Sequence, residues 1–127
     1  PKASVPGEFI MERPFFDYEA KYIDGKLIPV IPAKLEPEVS DKVRETAVDA
    51  FKILNCHGLA RVDIFVTDDN KIYVNEVNTM PGFTNVSMTP VLWGATDGTT
   101  YAELVEILIQ LAFEKHEEKN NLLNTRS

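Results

Sequence analysis

The sequence predicts an α+β domain, an antiparallel sheet with two main helices packed against it. Three observations carry that expectation. Two runs rich in apolar, β-branched and aromatic residues flank the turn formers Asp68-Asp69-Asn70 and read as a hairpin. Two longer stretches repeat apolar residues at helical spacing. A chain of 127 residues with 44% hydrophobic content has enough material for one core without covalent staples.

Taken in order, Phe9-Ile10-Met11 and Leu27-Ile28-Pro29-Val30-Ile31 are short apolar strands whose prolines suit edges or strand ends. Asp24-Gly25, between Tyr22-Ile23 and Lys26-Leu27, is a hairpin turn signal. The intervening Phe15-Phe16-Asp17-Tyr18-Glu19-Ala20-Lys21-Tyr22 mixes aromatics with charges. It fits either a folded-back loop that places Lys21 and Tyr22 near a ligand or a strand with aromatic cross-strand contacts.

A helix is predicted from 37 or 40 to 56 by Val43, Ala47, Ala50, Phe51 and Leu54, with Gly58 as its stop. A second is predicted over 101–119, opened by the Thr100/Glu103 capping box and buried along Leu104, Ile107, Leu108, Leu111 and Ala112. Residues 120–127 read as a frayed tail beyond a domain of 1–119. The stretch from Met80 to Pro90 has turn formers without a sustained period and reads as a connection held by the sheet, a placement typical of binding residues. Val91, Leu92 and Trp93 suit either an internal packing site or a subunit contact.

Composition excludes several classes. A net charge of −7 argues against nonspecific nucleic-acid binding, which needs a basic surface. The single cysteine, Cys56, rules out an intrachain disulfide and a cysteine-cluster metal site, and reads as a small apolar residue. His57 and His116 lack ligand neighbours at motif spacing and read as cap or surface residues. No apolar run is long enough to cross a bilayer, and the opening residues lack the segments of a signal peptide, so a cytoplasmic setting without membrane partners is expected.

The chemistry concentrates on the 59–78 hairpin. With Asp69-Asn70 as a two-residue turn, Lys71 pairs with Asp68, and counting back sets Glu76 opposite Asp63 and Asn78 opposite Arg61. Side chains alternate along a strand, so all four fall on one face. Two carboxylates face to face repel, and a divalent cation would remove that cost. Carboxylates and an amide oxygen suit Mg²⁺ or Mn²⁺ better than zinc. Arg61 beside them has the planar donor fork that holds a phosphate oxygen. The same pattern also describes a solvated polar face on an edge hairpin, with Arg61 neutralising Asp63. Downstream, Gly82 suits a close backbone approach that presents its N–H to an oxyanion, and Ser87 suits a hydrogen bond to a carboxylate or phosphate.

On these residues the chain resembles the C-terminal part of the D-alanine–D-alanine ligases, in the ATP-grasp superfamily. The resemblance rests on Phe16-Asp17-Tyr18-Glu19-Ala20-Lys21-Tyr22, Ile31-Pro32-Ala33 and Gly58-Leu59-Ala60-Arg61-Val62-Asp63. It continues through Asn75-Glu76-Val77-Asn78-Thr79-Met80-Pro81-Gly82-Phe83-Thr84 and Ser87-Met88, so that it spans about 6–112. The fused string from Asn75 to Thr84 is specific, whereas Arg61-Val62-Asp63 alone marks little beyond ATP-grasp.

The resemblance implies ATP and two Mg²⁺ or Mn²⁺ ions held by Asp63, Glu76 and Asn78, with Glu76 bridging. It implies Arg61 on the transferred phosphoryl group, Lys21 near the ATP phosphates and Tyr22 closing a loop over the site. Gly82 would offer its N–H to the oxyanion, and Ser87 would bind the carboxylate of the second D-alanine. Tyrosine at position 22 leans toward an amino acid rather than D-lactate as second substrate, leaving D-serine open. The implied product is D-alanyl-D-alanine for peptidoglycan precursors, made in the cytoplasm by a homodimer.

The family's N-terminal and central domains have no counterpart in this sequence. It is therefore expected to be a piece of a longer ligase, inactive by itself. Another ATP-grasp carboxylate–amine ligase would share the hairpin residues but not the Thr79 to Thr84 continuation. A noncatalytic module would bind Mg-nucleotide without turnover.

Overall fold

The computed structural model describes residues 1–11 and 27–125. The predicted Asp24-Gly25 hairpin, the aromatic segment 15–22, Lys21 and Tyr22 lie outside the described residues. In chain order the elements are β1 (Glu8–Met11), β2 (Leu27–Val30), α1 (Pro37–Ile53), β3 (Arg61–Val66), β4 (Ile72–Asn78), α2 (Met88–Asp97) and α3 (Tyr101–Thr125). The strand pairing is antiparallel, as expected. Among the described residues it divides, however, into two two-stranded sheets, β1 with β2 and β3 with β4.

Helix α1 opens with Pro37 at its first position, where a missing N–H costs nothing, and carries Glu38 in the first turn and Lys52 in the last. It stops three residues earlier than the periodicity suggests. The stop is Asn55, left-handed at φ 55°, and not Gly58. Asn55 N–H donates to the Lys52 carbonyl and Cys56 N–H to that of Phe51, which satisfies the carbonyls a helix end leaves open. Gly58, at φ 70°, turns the chain into β3. The helix packs on β3 and β4, with Val43 buried.

Helix α2 is absent from the sequence reading, which treats 80–90 as a connection. Its interior Pro90 hides the pattern, yet Pro90 sits in the first turn, where no intrahelical bond is lost. Gly98 ends it at φ 76°, with its N–H on the Gly94 carbonyl. Helix α3 begins as expected. The Thr100 hydroxyl donates to the Glu103 carboxylate at 2.9 Å, and the Glu103 N–H donates back to that hydroxyl at 3.2 Å. It runs on to Thr125, beyond the predicted end at 119, since no glycine or proline follows Gly98.

The first eight residues tie these pieces together. Val5 N–H donates to Thr96 Oγ1 at 2.9 Å, and the Ala3 carbonyl accepts from Arg44 at 2.7 Å. The Pro6 carbonyl accepts from Ala33 N–H at 2.7 Å, while Lys34 N–H donates to Glu8 Oε1 at 2.8 Å. A Cβ at Gly7 would stand 2.9 Å from Leu92 Cδ2, so the segment lies close against α2, and a side chain there would require the Leu92 side chain to shift. The buried apolar core among the described residues consists of Val43 and Leu104.

Candidate functional site

The β3–β4 ladder reaches the predicted juxtaposition by a different path. The loop holds three residues, not two: Thr67 N–H donates to the Lys71 carbonyl at 2.9 Å, with Asp68, Asp69 and a left-handed Asn70 between them. That loop sets Val66 opposite Ile72 and Ile64 opposite Val74, one residue out of step with the predicted count. Between Asp63 and Ile64 the register shifts, with Asn75 as the extra residue on β4. The bulge restores the count, so that Asp63 faces Glu76 and Arg61 faces Asn78.

Strand alternation places Arg61, Asp63 and Phe65 on one face of β3. Across from them stand Asn78, Glu76 and Tyr73. Arg61 Nε donates to Asp63 Oδ1 at 2.8 Å and its Nη2 to Oδ2 at 3.0 Å, a bidentate pair. The same Nη2 lies 3.7 Å from Glu76 Oε1. Hydrogen bonding to Asp63, reinforced by the charges of Asp63 and Glu76, raises the Arg61 guanidinium above its already high ordinary value, so it stays a cation. The side chains of Arg61 and Asp63 are 37% and 33% accessible and that of Glu76 is 61%, so the cluster opens to a ligand.

The arrangement thus contains both alternatives read from the sequence, the neutralising Arg61–Asp63 pair and the opposed carboxylates. Asp63 and Glu76 are too few for a group of three acidic, histidine or cysteine ligands, and no such group occurs among the described residues. The donor set nonetheless fits a hard cation. Two carboxylates and one amide carbonyl are all oxygen donors, and one guanidinium leaves a negative charge uncompensated. Asn78 Oδ1 accepts from Met80 N–H at 2.9 Å, which fixes the amide and bends the chain out of β4 while leaving the oxygen a second lone pair.

Downstream, Gly82 and Ser87 are brought together. A Cβ at Gly82 would stand 3.4 Å from Ser87 Oγ, ordinary contact, so the position does not demand glycine on steric grounds within the chain. Gly82 is exposed, and its N–H has no hydrogen-bond partner among the described residues. Ser87 precedes α2 without capping it through its side chain. Its Oγ instead accepts from Thr84 N–H at 3.0 Å and shares a 2.7 Å hydrogen bond with Thr84 Oγ1.

Two residues escaped the sequence reading here. Thr84 braces Ser87, and a threonine three residues before a serine is a common turn pattern with no specific signal. Tyr101, at the start of α3, donates its hydroxyl to the Phe83 carbonyl at 2.7 Å and packs on the Phe83 ring with centroids 5.4 Å apart. Nothing in the local sequence announces that contact. His57 and His116 are exposed and Cys56 is half-buried.

A family model for the D-ala D-ala ligase C-terminus matches residues 1–110. The chain is 54% identical over 129 residues to the D-alanine–D-alanine ligase of Oceanobacillus iheyensis, a match covering 100% of this chain and 35% of that protein. It is 47% identical over 127 residues to D-alanine–D-alanine ligase A of Escherichia coli K12, covering 98% of this chain and 34% of that one. Among solved structures, the D-alanine–D-alanine ligase of Coxiella burnetii superposes with a TM-score of 0.82 at 40% identity, over 98% of this chain and 32% of that chain. The VanG D-Ala:D-Ser ligase of Enterococcus faecalis gives 0.68 at 31% identity, over 87% of this chain and 34% of that chain. The chain therefore spans about a third of the length of the relatives it matches.

Proposed function

Since the chain belongs to the D-alanine–D-alanine ligase family, we propose that it forms the phosphoryl-transfer and acceptor end of an enzyme that joins two D-alanines at the expense of ATP. In that reaction the carboxylate of the first D-alanine is phosphorylated, the amine of the second attacks the resulting acyl phosphate, and phosphate leaves. The product would serve peptidoglycan precursor synthesis in the cytoplasm, with the enzyme acting as a homodimer.

The observation that carries this reading is the ladder that sets Asp63 against Glu76 and Arg61 against Asn78. Asp63, Glu76 and Asn78 would hold two Mg²⁺ or Mn²⁺ ions, which supply charge neutralisation on the ATP phosphates when bound. Arg61, held by Asp63 but partly open to solvent, presents its remaining donors to the transferred phosphoryl group. Lys21 would approach the ATP phosphates, and Tyr22 would help close the site against water, whose attack on the acyl phosphate wastes ATP. Gly82 would lend its exposed N–H to the oxyanion of the tetrahedral intermediate. Ser87 would donate to the carboxylate of the second amino acid. If Thr84 fills both Ser87 lone pairs with its N–H and hydroxyl, the serine proton is left for that task.

The test is phosphate release from Mg-ATP by a hybrid in which this chain replaces the matching third of the Oceanobacillus iheyensis ligase. Release should depend on D-alanine and not on L-alanine. Asp63→Ala, Glu76→Ala and Asn78→Ala should each lower kcat on the order of 100-fold or more, the scale of losing a group that stabilises transition-state charge. Near-normal turnover in these variants would remove the metal assignment. The 127-residue chain alone should release no phosphate, because orientation by the rest of the enzyme is missing.

A second reading has its own support. The structural similarity to a D-Ala:D-Ser ligase makes D-serine the alternative second substrate. Competition between D-alanine and D-serine for the second position, read from the dipeptides formed, decides between them.

A further inference from the structure

We propose that Tyr101 is a positioning residue for the acceptor amino acid, acting through the loop that joins β4 to α2. This inference rests on the reading of Ser87 as the residue that binds the carboxylate of the second amino acid.

The loop is exposed at Met80, Gly82, Thr84 and Val86, and a segment so open to solvent has little packing of its own to hold it. Three tethers hold it. Asn78 accepts from Met80 N–H at its start, and Thr84 and Ser87 bond each other at its end. Between these, across the stretch that contains Gly82, the hydrogen bond from outside the loop comes, among the described residues, from the Tyr101 hydroxyl to the Phe83 carbonyl. The Phe83 carbonyl shares its peptide plane with the Thr84 N–H, so fixing that carbonyl orients the N–H that Thr84 donates to Ser87 Oγ. Thr84 in turn braces Ser87 through its hydroxyl as well.

Tyr101 is suited to this because it belongs to α3 and not to the loop. It is the first residue of a 25-residue helix whose start is locked by the reciprocal Thr100/Glu103 box, and Leu104 in its next turn is buried. Its ring rests on the Phe83 ring, so the contact has an apolar part and a polar part that can be separated. The polar part selects the carbonyl direction, and the apolar part holds the two segments together.

The test uses the hybrid ligase described above with Tyr101→Phe, which keeps the ring contact and removes the hydroxyl. The expected result is a rise of about fivefold to tenfold in KM for the second D-alanine, the scale of one neutral hydrogen bond. KM for ATP should stay unchanged. Ser87→Ala should raise the same KM, and the double variant should show less than the product of the two single effects, since both act on one loop. An unchanged acceptor KM in Tyr101→Phe, alongside a raised one in Ser87→Ala, would overturn the role of Tyr101 and leave the acceptor site standing. Equal rises in KM for ATP and for D-alanine would show general loosening and overturn it as well. An unchanged KM in Ser87→Ala would bring down the acceptor-site reading itself, and the role of Tyr101 with it.

Discussion

Two carboxylates and one guanidinium leave the outward face of the β3–β4 hairpin with a net negative charge. Arg61 grips Asp63 through two parallel N–H groups and only approaches Glu76, at 3.7 Å. Its removal would leave the carboxylates opposed with nothing between them. Because both partners are more than a third or nearly a third accessible, the pair contributes less than about 1 kcal/mol to stability. Arg61→Met should therefore fold, and a divalent cation should take over the neutralising task. The rise in unfolding midpoint on adding Mg²⁺ is expected to be larger in Arg61→Met than in the unchanged chain. Equal rises would mean that Asp63 and Glu76 do not share a cation. These two residues were legible in the sequence because carboxylates in an apolar strand are conspicuous. Tyr101 was not, since its partner lies 18 positions away and an aromatic at a helix start is ordinary.

Among the elements, the hairpin teaches how a correct register can come from a wrong turn. The sequence count assumed two loop residues, the ladder has three, and Asn75 inserts one more on β4. The two offsets cancel at Asp63. An unbulged ladder from the same loop would have set Asn75 opposite Asp63 and turned Glu76 to the other face. Bulges carry no strong local signal, so the count succeeded without access to its reason. Helix α2 was missed for the opposite cause: Pro90 is a clear signal, but one that reads as a breaker unless the helix start at Met88 is already known. Where signals are reciprocal they were read correctly, as at the start of α3. Thr100→Ala should cost about 1 kcal/mol, the usual value of a helix cap, and lower the helix melting midpoint of the chain measured by circular dichroism. No change in that midpoint would show that the box leaves the helix start unanchored, and with it Tyr101.

At the scale of the whole molecule, the apolar surface is distributed unusually. Phe9, Phe65, Tyr73, Ile107, Ile109 and Phe113 are all exposed, while the buried apolar core of the described residues is Val43 and Leu104. Burial supplies the main favourable free energy of folding, so a structure with this balance is weakly held. The 127-residue chain is expected to bind a dye specific for exposed apolar surface and to unfold over a broad range of urea. A sharp transition without dye binding would contradict that expectation. Beyond the packing of α1 on β3 and β4, the opening segment ties elements together by reaching β2's trailing residues, α1 and α2 in turn. The bond between Val5 and Thr96 joins residues 91 positions apart. On a ribosome adding about 5 to 20 residues each second, Val5 waits roughly 5 to 20 s before Thr96 has been made. During that interval the segment around Val5 lacks the partner on α2 that later holds it.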